Sequence, residues 1–186
     1  VTIRNRDSMN QERVHLEEAS PYLQEHLREV FKASTTKPIV LDRDGVINED
    51  LWGYVTRKEE FKPIEGSLEA IQKLTTAGFT VVVATNQACI SKNIITAKQL
   101  ETVHEHMSSL VQETGGKIEY IAFCPHAPDD NCSCRKPETG LLVEIEERIG
   151  SSLKNSFFIG DKESDLLCAT RHGCIPLLVE TGYGEK

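Results

Sequence analysis

The segment PIVLDRDG (residues 38–45) starts as an uninterrupted apolar run and ends in two aspartates and a glycine. Short apolar runs of this kind are typical of strands that are buried on both faces of a parallel sheet. Similar runs follow along the chain: FTVVVATN (79–86), IEYIAFC (118–124), SFFIGD (156–161) and CIPLLV (174–179). Because segments with helical spacing of apolar residues separate them, the sequence predicts an α/β fold with a doubly wound parallel sheet.

The predicted helices lie between these strands. They are EGSLEAIQKLTTAG (65–78), a helix that starts at Thr96, ETGLLVEIEERIG (138–150) and KESDLLCATRHG (162–173). Thr96 and Gln99 have the spacing of a capping box, which marks the start of the second helix. About 20 residues separate the first strand from its helix, so we expect no large cap domain there.

Residues 1–37 differ in composition from the rest of the chain. They are polar and charge-rich, with one amphipathic stretch that follows Ser20-Pro21 and contains Leu23, Leu27, Val30 and Phe31. A proline in the first turn and apolar residues at helical spacing predict a helix there. We therefore predict a helical appendage over residues 1–37, with a packing role favoured over a functional one, and a single domain over residues 38–186.

The overall composition excludes several classes of protein. The 186 residues carry a net charge of −8, and 39% are hydrophobic and 27% charged, as in an ordinary globular protein. The absence of a Lys/Arg cluster argues against a nucleic-acid partner. The longest apolar run is too short to span a bilayer, and no secretory signal is evident, so we expect no membrane partner and a cytoplasmic location. A site shaped by short loops needs no second subunit, and we expect a monomer.

Polar side chains follow the predicted strands at the points where they end. These clusters are Asp42-Arg43-Asp44, Thr85-Asn86-Gln87 and Gly160-Asp161-Lys162, with Asp165 one helical turn further on. In open α/β sheets ligands bind beyond the carboxyl ends of the strands, where the strand order reverses. We therefore expect the three clusters to form one site.

The residue types in these clusters suit phosphoryl transfer. Asp42, Asp44 and Asp161 would repel one another without a cation, and Mg²⁺ prefers carboxylate ligands. Lys136 and Lys162 would place positive charge beside a phosphate. An aspartate can also act as a covalent nucleophile, and a second carboxyl group two residues further on can protonate a leaving oxygen.

A cysteine-rich loop lies between residues 124 and 134. Its candidate metal ligands are Cys124, His126, Cys132 and Cys134, in the pattern C-x-H-x5-C-x-C. Four such ligands match a closed structural zinc site, although C-x-C is less diagnostic than C-x-x-C. Zinc would fold a loop that ends at Arg135-Lys136 and hold both residues over the phosphate. The remaining cysteines, at 89, 168 and 174, are interpreted as packing residues.

Four motifs in this sequence resemble the signature of the haloacid dehalogenase superfamily of aspartate-nucleophile phosphatases. They are DRDGVIN (42–48), TNQ (85–87), CRKP (134–137) and GDKESD (160–165). The segments GYV (53–55) and CPHAPDDNCSCRKP (124–137) narrow the resemblance to a branch with a zinc loop. The resemblance implies a Mg²⁺-dependent phosphatase that acts on a small phosphorylated sugar, a heptose bisphosphate used for lipopolysaccharide core precursors. Histidinol phosphate is the alternative substrate within the same branch.

The resemblance also implies a role for each residue that matches a motif. Asp42 would be the nucleophile and Asp44 the general acid and then base, with the phosphoryl group held by Thr85 and Lys136. Mg²⁺ would be bound by Asp42, the Asp44 carbonyl and Asp161, and Asp165 would orient the site. The residues implied to contact the substrate are Asp50, Gly53, Tyr54, Asn86, Gln87, Arg135 and Lys162.

The sequence departs from the family pattern at two places near these residues. Ala88-Cys89 stands where the family usually has Ser-Gly, which removes a hydroxyl and a flexible residue beside the phosphate. The change motivates a third reading, a weakly active zinc-stabilised binding module. An extra residue before Gly53 brings in Trp52, which either stacks on a sugar or packs within its loop; packing is favoured on general grounds.

Overall fold

The computed structural model describes residues 37–184 and the backbone of residues 2–4 and 11–13. The chain divides into two compact units, residues 1–35 and 36–186. In the first unit, β1 (Thr2–Arg4) pairs antiparallel with β2 (Gln11–Arg13), a strand pair that the sequence analysis did not predict. The helix expected after Ser20-Pro21 lies outside the described residues, so the helical appendage over residues 1–37 stays a prediction.

The second unit is built on a five-stranded parallel sheet. Its strands are β3 (Pro38–Leu41), β4 (Thr80–Asn86), β5 (Tyr120–Cys124), β6 (Phe157–Gly160) and β7 (Ile175–Leu178). Their spatial order is β5-β4-β3-β6-β7. The order therefore reverses at β3, which pairs with β4 on one side and β6 on the other. This topology confirms the predicted doubly wound α/β fold.

The helices of the second unit follow its strands. They are α1 (Ser67–Thr76), α2 (Ala97–Glu113), α3 (Gly140–Ile149) and α4 (Glu163–His172). The capping box at the start of α2 is confirmed, because the Gln99 amide donates to Thr96 Oγ1 (3.3 Å) and the Thr96 amide donates to Gln99 Oε1 (2.9 Å). No helix among the described residues combines the length and apolar character needed to cross a bilayer.

The hydrophobic core has two layers, one on each face of the sheet. Side chains alternate along β3, so Ile39 and Leu41 join α1 and α2 on one face while Val40 joins α3 and α4 on the other. The central strand β3 is therefore apolar at every position, and each of its four residues is buried. Polar side chains begin only where this strand ends, at Asp42.

The connection from β3 to α1 consists of residues 42–66 and contains one short 3₁₀ helix, Lys58–Glu60. No large cap domain is inserted there, as the sequence predicted. The connection turns sharply at Gly45, whose φ is +84° and whose amide donates to the Asn48 carbonyl (2.7 Å). This turn keeps Asp44 close to the end of β3.

Candidate active site

The carboxyl ends of β3, β4 and β6 meet at a cleft of about 450 Å³. Asp42 and Asp44 line it from the end of β3, Thr85 and Asn86 from β4, and Lys162 from the end of β6. The three polar clusters therefore come together as the sequence predicted, because the strand order reverses at β3 and opens a crevice there.

Asp42 lies at the floor of the cleft and is 5% exposed. Its Oδ1 accepts from the Arg43 amide (2.7 Å) and lies 2.9 Å from Lys136 Nζ, whereas no hydrogen bond between described residues reaches Oδ2. Burial raises the pKa of Asp42 to about 7, and the Lys136 charge opposes that shift. One carboxylate oxygen is thus held in place while the other is left to react.

Lys136 is almost completely buried beside Asp42. Its Nζ lies 2.6 Å from Asp165 Oδ1 and donates to the Ala84 carbonyl (2.8 Å). Burial alone would lower the pKa of Lys136, but the charges of Asp165 and Asp42 outweigh burial and raise it. Asn86 fixes the Lys136 backbone through two hydrogen bonds of 3.1 Å. The lysine is therefore a fixed positive charge at the floor of the cleft.

Asp44 is held by a buried arginine whose role in the site the sequence did not predict. Arg43 is completely buried, and its Nη2 lies 2.8 Å from Asp44 Oδ2. Asn48 and Gln87 each donate a further hydrogen bond of 2.9 Å to the Asp44 carboxylate. Although burial by itself raises the pKa of Asp44, Arg43 and these donors lower it overall. The sequence offered one indication of this role. Arg43 stands between the two aspartates, and neighbouring side chains at the end of a strand point in opposite directions, so the middle residue faces away from the other two.

His104 and Gln87 complete this network from behind. Arg43 Nη1 lies 3.2 Å from His104 Nε2, and burial together with the Arg43 charge lowers the pKa of His104 to about 3. The imidazole is therefore neutral and accepts from the guanidinium. Gln87 is completely buried and also contacts Thr85 Oγ1 (2.9 Å). This placement differs from the predicted substrate contact of Gln87, because its amide is used by Asp44 and Arg43 and does not line the cleft.

Asp42, Asp161 and Asp165 form a cluster of buried acids whose ligand atoms lie within 4.8 Å of one another. Burial raises the pKa of Asp161, and among the described residues its Oδ1 is a buried oxygen without a hydrogen-bond partner. A cation would satisfy that oxygen and offset the repulsion between the acids. The carboxylate of Asp44 lines the cleft but is already bound by Arg43, Asn48 and Gln87, so its backbone carbonyl is the group left as the predicted metal ligand.

A turn near the end of the chain packs against this acidic cluster. The Tyr183 amide donates to Asp161 Oδ2 (2.9 Å), and Thr181 Oγ1 donates to the Gly45 carbonyl (2.6 Å). Gly182 has a φ of +60°, and a Cβ there would overlap Asp161 Oδ2. Only glycine fits this position. No sequence pattern pointed to the turn, because it lies far along the chain from the motifs.

Cys124, His126, Cys132 and Cys134 form a second cluster that could hold a metal ion. Five of the distances between their ligand atoms fall between 3.1 and 3.6 Å. Zn–S bonds of about 2.3 Å and Zn–N bonds of about 2.0 Å imply tetrahedral edges of roughly 3.5–3.8 Å, slightly longer than most of these distances. The four side chains therefore present the donor set of a closed zinc site at close to its spacing.

The other residues predicted to contact the substrate lie around the mouth of the cleft: Asp50, Gly53, Tyr54, Asn86, Arg135 and Lys162. Arg135 Nη1 donates to the His126 carbonyl (3.0 Å), which ties it to the cysteine loop. Lys162 Nζ lies 3.0 Å from Asp50 Oδ2. Lys92 also lines the cleft, with its Nζ 5.4 Å from the centre of the Tyr54 ring. Nothing in the sequence had marked Lys92.

The two departures from the family pattern occupy different environments. Ala88 and Cys89 are buried, and Cys89 packs with Ile95 and Leu100, so neither contributes to the lining of the cleft. Trp52 is 58% exposed and lines the cleft. The expectation that Trp52 packs within its loop is therefore wrong, because the indole is exposed and its ring partner, Tyr183, lies outside that loop.

Comparison with known proteins identifies relatives that are named phosphatases, which agrees with the geometry of the cleft. Residues 39–172 match the family described as polynucleotide kinase 3 phosphatase. The chain is 45% identical to the D-glycero-beta-D-manno-heptose-1,7-bisphosphate 7-phosphatase of Pseudomonas putida over 150 residues, which cover 81% of this chain and 86% of that protein. It is 46% identical to the enzyme of the same name from Pseudomonas aeruginosa over 148 residues, covering 80% and 83% of the two chains.

A solved structure also resembles this chain. The D,D-heptose 1,7-bisphosphate phosphatase of B. bronchiseptica, in complex with magnesium and phosphate, superimposes with a TM-score of 0.77. The two sequences are 41% identical, and the match covers 80% of this chain and 83% of that one.

The Arg43 network leads to a prediction about stability. Arg43→Met should lower the free energy of unfolding by about 3 kcal/mol, because Asp44 would keep its charge in a buried site without its main cation. Urea unfolding followed by circular dichroism measures the change. Arg57→Met is the matched control, since Arg57 forms an exposed ion pair with Glu60 and its loss should have little effect. A loss for Arg43→Met no larger than the control would contradict this account.

Proposed function

Because the chain belongs to the polynucleotide kinase 3 phosphatase family of haloacid dehalogenase phosphatases, we propose that it removes the C7 phosphate of D-glycero-D-manno-heptose 1,7-bisphosphate. The relatives that are 45 and 46% identical carry that activity in their names. The observation that carries the proposal is the buried contact of 2.9 Å between Asp42 and Lys136, since it supplies a nucleophile and a phosphate-binding cation in one place.

In the first half of the reaction Asp42 acts as the nucleophile. Its Oδ2 forms a bond to phosphorus while the bond from phosphorus to the C7 oxygen breaks, which leaves an aspartyl phosphate. Lys136 and Thr85 hold the transferring phosphoryl group from the floor of the cleft. The hydrogen bond from the Arg43 amide keeps Asp42 Oδ1 in place, so the attacking oxygen has a defined direction.

Asp44 transfers the protons in both halves. It first donates a proton to the departing C7 oxygen and then takes one from the water that attacks phosphorus, which releases phosphate and restores Asp42. The Arg43 network lowers the pKa of Asp44 and so favours the carboxylate that the second half needs. In the first half, a dianionic phosphate beside Asp44 raises the pKa and favours the protonated acid.

The acidic cluster would bind Mg²⁺ through Asp42, Asp161 and the Asp44 carbonyl. Asp161 Oδ1, which accepts no hydrogen bond from a described residue, and the closely spaced acids fit such an ion, and the related B. bronchiseptica structure is a complex with magnesium and phosphate. When bound, Mg²⁺ neutralises charge on the phosphoryl oxygens. Asp165 lies 2.6 Å from Lys136 Nζ and orients that lysine.

The cysteine loop would bind a structural zinc ion through Cys124, His126, Cys132 and Cys134. Zinc would close the loop that carries Arg135 and Lys136 into the cleft, and the bond from Arg135 to the His126 carbonyl links the two directly. The other phosphate of the substrate, on C1, would be held by Arg135 at the mouth of the cleft.

A panel of substrates tests this function. Release of inorganic phosphate from heptose 1,7-bisphosphate should far exceed release from histidinol phosphate and from glycerol phosphate. Preferential hydrolysis of histidinol phosphate would overturn the proposed substrate, and no release from any ester would support a binding module. Three further expectations stay predictions: a role of the protein in supplying heptose for lipopolysaccharide, a cytoplasmic location and a monomeric state.

The covalent mechanism predicts the effect of replacing the Asp42 carboxylate with an amide. Asp42→Asn should lower kcat by about 10³-fold or more, because an amide does not form the aspartyl phosphate. The fold should survive, since the Arg43 amide and Lys136 can still donate to the remaining carbonyl oxygen. Phosphate release and the thermal midpoint are measured on the same preparation. Turnover close to that of the unaltered protein would exclude Asp42 as the nucleophile.

The zinc loop leads to a second prediction in this site. Elemental analysis should find about one zinc per chain, and Cys132→Ser should lose the ion together with stability and activity. Cys174→Ser is the matched control, because Cys174 is buried outside the loop and its Sγ donates to the Leu153 carbonyl (3.2 Å), which serine can reproduce. If Cys132→Ser stays fully active without metal, the loop is not a zinc site.

The two adjacent cations of the loop should differ in their effect on substrate choice. Arg135→Ala should lower kcat/KM for heptose bisphosphate by about thirtyfold, because one charged contact to the C1 phosphate is lost, and should affect histidinol phosphate less. Lys136→Ala should impair both substrates alike. Arg171→Ala serves as a control, since Arg171 pairs with Glu138 outside the cleft. Equal losses on both substrates for Arg135→Ala would remove Arg135 as the anchor of the second phosphate.

A further inference from the structure

An exposed aromatic pair stands at the mouth of the cleft. The rings of Trp52 and Tyr183 meet edge to face, with 4.6 Å between their centroids and an angle of 67° between their planes. Both line the cleft, and they are 58% and 38% exposed. Large aromatic side chains at the edge of a charged cleft leave apolar surface in water, which favours a ligand that covers it.

Both rings are held in place by groups of the site itself. The Trp52 amide donates to Asp50 Oδ1 (2.7 Å), and Asp50 Oδ2 lies 3.0 Å from Lys162 Nζ. Lys162 Nζ lies 4.4 Å from the centre of the Tyr183 ring, and the Tyr183 amide donates to Asp161 Oδ2 (2.9 Å). The two rings are thus fixed in position relative to the floor of the cleft, where phosphate would react.

The backbone of Trp52 adopts a conformation that bulky residues rarely take. Its φ of +57° lies in the left-handed region, which costs free energy for a tryptophan and is unnecessary if the residue only has to be exposed. The conformation does, however, bring the indole against Tyr183 and over the cleft. This cost points to a role for the indole in binding.

We propose that Trp52 and Tyr183 form an aromatic wall that binds the carbon face of the sugar ring and selects cyclic sugar phosphates over acyclic phosphate esters. The proposal rests on the sugar-phosphate function above and adds the residues that would recognise the sugar ring. The cations that line the cleft, including Lys92 and Arg135, would bind phosphate oxygens but offer nothing to the C–H face of a ring. Aromatic faces supply that contact.

A binding experiment tests the wall without turnover. Trp52 is the only tryptophan among the 186 residues, so the tryptophan fluorescence of the Asp42→Asn protein, excited selectively over its four tyrosines, reports on this position alone. Titration with heptose 1,7-bisphosphate should change the emission in a saturable way, whereas inorganic phosphate, which reaches only the floor of the cleft, should leave it unchanged. Sugar-phosphate binding without any change in emission would overturn the proposal.

Kinetics of the wall variants provide the second test. The ratio of kcat/KM for heptose bisphosphate to that for glycerol phosphate should fall about tenfold in Trp52→Gly and in Tyr183→Ala, mainly through KM. Trp52→Phe and Tyr183→Phe should restore most of the ratio. Leu51→Ala is the matched control, since Leu51 is a 41% exposed neighbour that does not line the cleft.

The two proposals can fail separately. If the unaltered protein does not hydrolyse heptose bisphosphate, the proposed substrate is wrong, and the same ratio is measured with whichever pyranose phosphate it does hydrolyse. If the ratio stays within about twofold in both Trp52→Gly and Tyr183→Ala, the aromatic wall does not select sugars, whatever the substrate.

Discussion

The close burial of three carboxylates is the constraint on which the candidate active site depends. Asp42, Asp161 and Asp165 have ligand atoms within 4.8 Å of one another, and like charges at such distances oppose ionisation in a buried site. Lys136 offsets part of this repulsion, because its Nζ lies 2.9 Å from Asp42 and 2.6 Å from Asp165. Asp161 keeps a buried oxygen without a hydrogen-bond partner among the described residues. A bound dication would complete the balance, and the same charges that require it also suit the transfer of a phosphoryl group.

The fold meets this constraint by drawing its cations from loops and its acids from strand ends. Asp42 and Asp161 follow β3 and β6, which are neighbours in the sheet, so topology alone brings them together. Lys136 comes from a loop that is tied to β4 by Asn86 and is organised by the cluster of three cysteines and one histidine. A metal ion bound in that loop would therefore act on the proposed reaction through position, since it would fix where the buried Lys136 ammonium group lies.

A second charged network supports Asp44, the residue proposed to transfer protons. Arg43 lies between the two aspartates in sequence but points away from the cleft, where it contacts Asp44, Gln87 and the neutral imidazole of His104. Because a buried guanidinium is always charged, it stabilises Asp44 as a carboxylate. The active site thus has a reactive layer that faces the cleft and a supporting layer behind it.

Local sequence patterns predicted the parallel sheet, its helices, the capping box at Thr96 and the strand ends that meet at the cleft, because periodicity and turn chemistry act over a few residues. Those patterns could not predict contacts between distant segments. The bond from the Tyr183 amide to Asp161, the pairing of Trp52 with Tyr183 and the entry of Lys92 into the cleft each join parts of the chain that share no motif. Gln87 illustrates the same limit. A polar residue at a strand end can face either the cleft or a buried partner, and a local sequence pattern does not distinguish the two. The sequence by itself determined which residues are proposed to carry the chemistry, and only the tertiary structure decided which of them line the cleft, because side-chain direction and burial depend on neighbours brought together by folding.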